Sequence, residues 1–247
     1  MLHRFYAPAL DLGAPRLTLA GDEARHLTRV LRLGVGDEVR VFDGRGLERR
    51  AFVAATDRDA VSLTLGTRVE PAREVSFPIT LAQAWLKGDA MDGIVRDATM
   101  LGVSAIQPLA AERCDVPAAS MARSTRLERW RRIAISSAKQ CRRAVVPQIR
   151  ETAPLGGVLD SAAGAVVVML VEPAAAGASA VRRSPGAVDS PAGAIVLVGP
   201  EGGWTAAELD VASRAGVRFV TLGDRTLRAE SVALVALPVL LFAWGEL

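Results

Sequence analysis

Up to about residue 72, apolar and polar residues alternate in short runs. Beyond about residue 77 they gather into near-continuous apolar runs separated by helical patterns. In the first stretch RLTLA (16–20) predicts a strand, and DEVRVFDGRG (37–46) a strand closed by a glycine-marked turn. ERRAFVAATDRDAVSLTLGTRV (48–69) predicts two strands around the polar turn at Asp57 to Asp59. Between them DEARHLTRVLRL (22–33) sets Ala24, Leu27, Val30 and Leu31 at helical spacing, with Asp22 as the expected cap. Residues 1–72 therefore read as a small, mostly β module of barrel type, with no chemistry of its own.

The pattern changes around Pro71 to Pro78. FPITLAQAWL (77–86) predicts an apolar strand, Asp89 to Leu101 a helix stopped by Gly102, and Val103 to Leu109 a strand. RLERWRRIAISSAKQCRR (126–143) predicts a long amphipathic helix, with Leu127, Trp130, Ile133, Ala134, Ala138 and Cys141 on one face. AVVVMLVEP (165–173), GAIVLVGPEGG (193–203) and VRFVTLG (217–223) predict buried parallel strands, because both faces are apolar. TAAELDVASRAG (205–216) and the apolar SVALVALPVLLFAW (231–244) predict helices. Such alternation makes 73–247 an α/β layered domain. The Ala-, Ser-, Gly- and Pro-rich run at 174–191 is expected to be mobile.

Composition narrows the function classes. Half of the 247 residues are hydrophobic, so a sizeable core is available. The longest apolar run, Val232 to Trp244, contains Pro238 and is too short to span a bilayer. The opening MLHRFYAPAL lacks the apolar core of a secretion signal, so a cytoplasmic location without membrane contact is expected. Cys114 and Cys141 have no CxxC spacing, and His3 and His26 are too few for a histidine-rich metal site, so no metal is expected. The net charge is only +3, yet nine basic residues face one acidic residue, Glu128, between Arg123 and Arg150. Nearly all the basic side chains are arginine, which holds phosphates bidentately and stacks on bases. A nucleic-acid partner and a merely solvated arginine-rich helix face both fit that surplus.

Two segments carry most of the chemical signal. Val198-Gly199-Pro200-Glu201-Gly202-Gly203-Trp204 follows an apolar strand and precedes a helix, which Thr205 and Glu208 would open with a capping box. Its glycines permit tight turns and a close approach of backbone to ligand, although an ordinary glycine turn has the same pattern. The spacing is neither GxGxxG nor GxxxxGK[ST], which removes support for dinucleotide and P-loop readings. Leu222-Gly223-Asp224-Arg225-Thr226-Leu227-Arg228-Ala229-Glu230-Ser231 follows the next apolar strand. Burying its charges would be costly unless they are paired or serve a ligand; the alternative is a surface loop capping the last helix.

Together GPEGGW and LGDRTLRAES resemble the signature of the RsmE family, SPOUT-class methyltransferases that methylate N3 of a uridine in 16S ribosomal RNA. The resemblance covers essentially the whole chain. HRFY and GDEARHLTRVLRLGVGDEVRVFDGRG are similar to that family's PUA-like RNA-binding barrel. KGDAMDGIVRDATMLGVSAIQPLAAERC and RWRRIAISSAKQCRRAVVPQI are similar to stretches of its catalytic domain, in family order. The resemblance implies a C-terminal α/β domain whose parallel sheet is tied in a trefoil knot, a rare exception among folds. It also implies S-adenosyl-L-methionine as cofactor, a homodimer, and 16S rRNA within the 30S subunit or a late assembly particle as partner.

Carried over by residue, Leu170, Gly199, Pro200, Glu201, Gly202, Gly203, Leu222, Gly223, Leu227 and Arg228 would form the cofactor pocket. Arg228, Arg225 and Glu230 would be catalytic, although a purely structural part for Glu230 fits equally. Arg25, Arg29 and Arg32 of the barrel, with Arg131, Arg132, Arg142 and Arg143, would meet RNA. TLRAES stands where the family more often has ILRTET, and Lys139 stands where glutamate is usual; Gln140 and Arg143 are kept. Another RNA base as target, or a binding-only role in ribosome assembly, are the alternatives.

Overall fold

The computed structural model describes residues 2–122, 125–173 and 191–247. The chain divides into two compact units, one of Met1–Glu74 with Ile135–Val146, the other of Val75–Ala134 with Pro147–Leu247. The run expected to be mobile, 174–191, lies outside the described residues except for Pro191.

The first unit contains β1 (Arg4–Tyr6), β2 (Arg16–Ala20), α1 (Gly21–Arg25), β3 (Glu38–Phe42), β4 (Glu48–Thr56) and β5 (Ala60–Val69). They form one sheet in the order β1-β3-β4-β5-β2, antiparallel except for β1 beside β3. Alternation points Ala51, Val53, Val61, Leu63 and Leu65 inward against Phe5, Leu19, Leu27, Val39 and Val41. Register shifts at Arg49/Ala51 and Val53/Ala55 bend the β4–β5 ribbon into a half-barrel.

The expected helix over 22–33 is realised differently. The α-helix ends at Arg25 and continues as a π-helical turn, His26–Val30, in which Leu31 N–H donates to His26 O. Ala24 and Leu27 stay buried, but the wider turn rotates Val30 outward, leaving it 70% exposed. Ala20, not Asp22, is the N-cap; Asp22 sits in the first turn and pairs with Arg25. Burial, followed by the Lys139 charge, pulls the His26 imidazole below its ordinary pKa.

A buried arginine explains why Ile135–Val146 belongs to this unit. Arg4 grips Glu48 through Nε at 3.2 Å and Nη2 at 2.7 Å. Its remaining donors reach the carbonyls of Ala138 at 2.7 Å and Arg143 at 2.9 Å. Lys139 Nζ pairs with both Glu23 oxygens at 2.9 and 3.0 Å, which gives the unusual lysine an acidic partner inside the same unit.

The second unit runs β6 (Ile79–Ala84), α2 (Ala90–Met100), β7 (Ala105–Ala110), α3 (Ala118–Ala122), α4 (Arg126–Cys141), β8 (Gln148–Ile149), β9 (Ala153–Pro154) and α5 (Leu155–Asp160). It continues with β10 (Val166–Leu170), β11 (Ala194–Val198), α6 (Ala206–Arg214), β12 (Arg218–Val220) and α7 (Ala229–Ala243). The last turns of α4 belong to the first unit. The sheet is parallel throughout, in the order β12-β10-β11-β6-β7-β8, with β9 also on β7. Every residue of β6 and β11 is buried, Thr80 and Gln83 of β6 included, as strands covered by helices on both faces must be. Ala82, Ala84, Met169, Ile195 and Leu197 pack with Leu155, Val158 and Ala212 of α5 and α6. On the sheet's other side α7 packs on β11 and α2. Gly102 stops α2 at φ +91°, where a Cβ would stand 2.7 Å from Val75 Cγ2.

β12 departs from expectation: it is a three-residue edge strand with Arg218 exposed, because its pairing partner is β10 alone. No helix among the described residues is long and apolar enough to cross a membrane.

Candidate active site

Leu170 is in register with Val198 of β11 on one side and Val220 of β12 on the other. The three parallel strands therefore end at one level, and their loops emerge together, where α/β sheets hold ligands. These loops and the start of α7 enclose a cleft of about 460 Å³. Leu170, Val198, Leu222, Leu227, Val232 and Trp204 give it apolar walls; Glu172, Glu201, Arg225, Arg228 and Glu230 bring charge to it.

The 199–205 loop is shaped by specific contacts. Trp204 is buried, and its Nε1–H donates to Leu170 O at 2.9 Å, tying this loop to the end of β10. Gly199 lies flat against that indole: a Cβ there would be 3.0 Å from Trp204 Cε2. Gly203 turns the chain at φ +68°, which only glycine adopts readily, and a Cβ there would face Glu172 Oε1 at 3.4 Å. The capping box forms as expected, with Thr205 Oγ1 accepting from Glu208 N–H at 3.2 Å and Glu208 Oε2 accepting from Thr205 N–H at 2.8 Å.

Of the residues expected in a cofactor pocket, Leu170, Gly199, Pro200, Glu201, Gly203, Leu222, Leu227 and Arg228 line the cleft. Two do not. Gly202 faces away, packed on Arg113, whose Cβ and O would lie 3.0 and 3.1 Å from a Cβ added there. Gly223 makes a turn at φ +86° outside the lining. Sequence reasoning missed Glu172, Trp204, Thr226 and Val232 as walls. Trp204 had a signal, being the one large apolar side chain in a glycine-rich loop.

Arg225, Arg228 and Glu230 all reach the cleft and are exposed, which agrees with the surface-loop alternative and not with buried, ligand-paired charges. The Arg228 side chain is 86% exposed and that of Glu230 43%, with their charged atoms 3.8 Å apart. Water solvates these charges in the isolated chain, so there is no desolvation penalty for a ligand to offset. Glu230 occupies the first turn of α7, where a carboxylate suits the helix dipole.

The arginines expected to meet RNA divide. Arg25, Arg29, Arg32 and Arg142 are exposed on the first unit, Arg32 and Arg142 at positive φ. Arg132 is exposed on α4, while Arg131 is engaged by Glu128 and Glu151. Arg143 is excluded from phosphate contact. It is 4% exposed, and its guanidinium grips Glu74 from Nε at 2.9 Å and from Nη2 at 2.6 Å. Among the described residues, no group of three or more His, Cys, Asp or Glu is arranged to hold a metal ion.

Comparison with known proteins connects this geometry to a family. The family model described as an RNA methyltransferase domain matches residues 73–241, and that of an RNA methyltransferase PUA domain matches residues 19–66. The ribosomal RNA small subunit methyltransferase E of Synechocystis sp. is 34% identical over 237 residues, 96% of this chain and 76% of that protein. The crystal structure of a ribosomal RNA small subunit methyltransferase E from Neisseria gonorrhoeae, bound to S-adenosyl methionine, superposes with a TM-score of 0.85 at 34% identity, covering 99% of this chain and 98% of that one. A methyltransferase structure from Legionella pneumophila, in complex with the cofactor SAM, gives a TM-score of 0.88 at 30% identity over 98% of both chains. With its PUA-type half-barrel, its parallel sheet flanked by helices and the cleft at the strand ends, the chain belongs to the ribosomal RNA small subunit methyltransferase E family of SPOUT-type RNA methyltransferases.

Proposed function

We propose that this chain methylates N3 of a uridine in 16S rRNA, with S-adenosylmethionine as donor. The observation that carries this reading is the convergence of the GPEGG loop and the LR-E segment on one cleft at the ends of three parallel strands. The cleft fits the cofactor's chemistry. Its volume is in the range that takes a nucleoside-sized ligand. Leu170, Val198 and Leu227 give apolar walls suited to a purine, and Gly203 exposes bare backbone to the cleft at a φ of +68° that side-chain-bearing residues rarely adopt. Glu172 and Glu201 supply negative charge suited to a sulfonium and an ammonium group.

S-adenosylmethionine, when bound, supplies an activated methyl group that needs no metal. The remaining work falls to the chain's own residues. Uridine N3 is a poor nucleophile until its proton leaves, and the charge then spreads over N3, O2 and O4. Arg228, supported by Arg225, provides the positive field that stabilises this developing anion. Glu230, within reach of Arg228, orients it or accepts the proton. Arg25, Arg29, Arg32, Arg132 and Arg142 provide phosphate contacts, which makes binding weaken with salt.

The substrate is 16S rRNA in the 30S subunit or a late assembly particle in the cytoplasm, and the target base must leave its stack to be methylated. Methyl transfer from labelled cofactor to 30S subunits lacking the modification tests this directly. A single 3-methyluridine after nuclease digestion is the expected product. Label on a different nucleoside overturns the choice of base, and absence of label with active substrate overturns catalysis on this particle.

A second copy of the chain is the partner proposed for α7. Leu234, Val235, Val239 and Phe242 form an exposed apolar stripe on that helix, with Phe242 74% exposed. Monomeric proteins rarely leave such a stripe in water. Phe242→Glu is expected to convert a dimer into a folded monomer, read by light scattering on a sizing column. A wild-type chain that elutes as a monomer at micromolar concentration sinks the dimer.

A further inference from the structure

The loop that walls the cleft is closed within itself by Gly203 N–H donating to Pro200 O at 3.0 Å, and it is braced from outside as well. Gly202 and Gly203 stand next to each other, and glycine surrenders more backbone freedom on ordering than any other residue. Outside the loop, the tight turn after β7 touches it on either side of Gly203. That turn is closed by Cys114 N–H donating to Ala111 O at 3.1 Å. From it, Arg113 Nη1 donates to Gly202 O at 3.2 Å and to Trp204 O at 3.3 Å, bracketing Gly203. The same residue's Cβ and carbonyl fill the space a side chain on Gly202 would need. One residue along, Glu112 N–H donates to Glu208 Oε1 at 2.9 Å, while the other oxygen of that buried carboxylate caps α6.

We infer that Arg113 is a positioning residue for the methyl donor, its guanidinium fixing the Gly202–Trp204 turn so that the cofactor loop is ordered before the cofactor arrives. The inference rests on the methyl-donor reading above. Arg113 does not line the cleft, so its effect runs through the backbone it holds. Without it, binding must supply the ordering of a two-glycine turn, and the cost falls on cofactor affinity. Once the cofactor is bound the loop is ordered by its ligand, and the chemical step proceeds as before. The signature is a raised KM for the cofactor at nearly constant kcat.

The test compares wild-type protein with Arg113→Ala by calorimetric titration with S-adenosylmethionine, steady-state methylation of 30S subunits, and hydrogen exchange of the cofactor-free chain. The expected result is about a tenfold weaker Kd, kcat within about twofold, and faster exchange confined to 199–205 that saturating cofactor suppresses. Arg113→Lys, which keeps a donor and the stem packed on Gly202, is expected to recover part of the affinity. An unchanged Kd in folded Arg113→Ala, or a loss that falls on kcat instead, overturns the assignment. If Arg113→Ala does not fold, Arg113→Gln carries the same criteria. Wild-type protein that fails to bind S-adenosylmethionine overturns the parent reading and this one together, whereas normal wild-type binding with an unaffected variant overturns this one alone.

Discussion

Arg228→Ala is expected to lower the methylation rate by about 10²–10³-fold, the range seen when one preorganised donor to a developing anion is removed. Its side chain is almost fully solvated in the isolated chain, so the fold should hold to within about 0.5 kcal/mol. The measurement is single-turnover transfer with cofactor and 30S subunits both saturating, so that binding defects drop out. A rate equal to wild type at saturation removes Arg228 from the chemistry. Glu230→Gln in the same assay distinguishes proton acceptance from orientation: an acceptor's loss abolishes the acidic limb of the pH–rate profile, and an orienter's loss lowers the profile without reshaping it.

Glu48→Ala is expected to cost about 3–5 kcal/mol, because it strands the Arg4 guanidinium in the half-barrel. Arg4 and Glu48 side chains are only 6% and 2% exposed, so water cannot replace the lost carboxylate without opening the unit. Urea denaturation of the full chain should show an early transition belonging to the first unit. Cofactor affinity in water should be unchanged, since every residue lining the cleft lies in the second unit. A coincident shift of both units, or a loss below about 1 kcal/mol, contradicts the role given to this pair. Arg4→Met combined with Glu48→Leu should be less damaging than Glu48→Ala, since the buried guanidinium leaves with the carboxylate and Arg40, which also pairs with Glu48, is 37% exposed to water.

The strands were legible because their burial is written locally. Period-two alternation marked β4 and β5, a largely apolar run marked β6 and an unbroken one marked β11. The capping box was legible for the same reason, as Thr205 and Glu208 are three residues apart. What the sequence hid depends on distant partners or on slight changes of winding. Arg143 looks like any arginine in a basic stretch until Glu74, 69 positions away, closes on it. Gly202 and Gly203 read alike, yet one faces Arg113 and the other the cleft. Val30 keeps its helical spacing while the π turn moves it into solvent. Whether the charges of the LR-E segment are buried or solvated stayed open, because exposure cannot be read from neighbours in sequence. The cofactor and target base came from motif resemblance, since neither periodicity nor charge identifies a methyl donor.

The strand order has a consequence for synthesis on the ribosome. β6 lies between β7 and β11, and its register partner Ala194 is made about 115 positions after Ile79. At elongation rates of about 5–20 residues per second, one edge of this fully buried strand waits roughly 6–23 s for its neighbour. The half-barrel's five strands, by contrast, are all complete before β6 begins. The nascent chain thus carries an early-finished sheet and a late-finished one, and the second holds an open apolar edge through most of its own translation. Chaperones that shield such edges should bind the nascent chain in the interval between Ala84 and Ala194, and release it as β11 emerges.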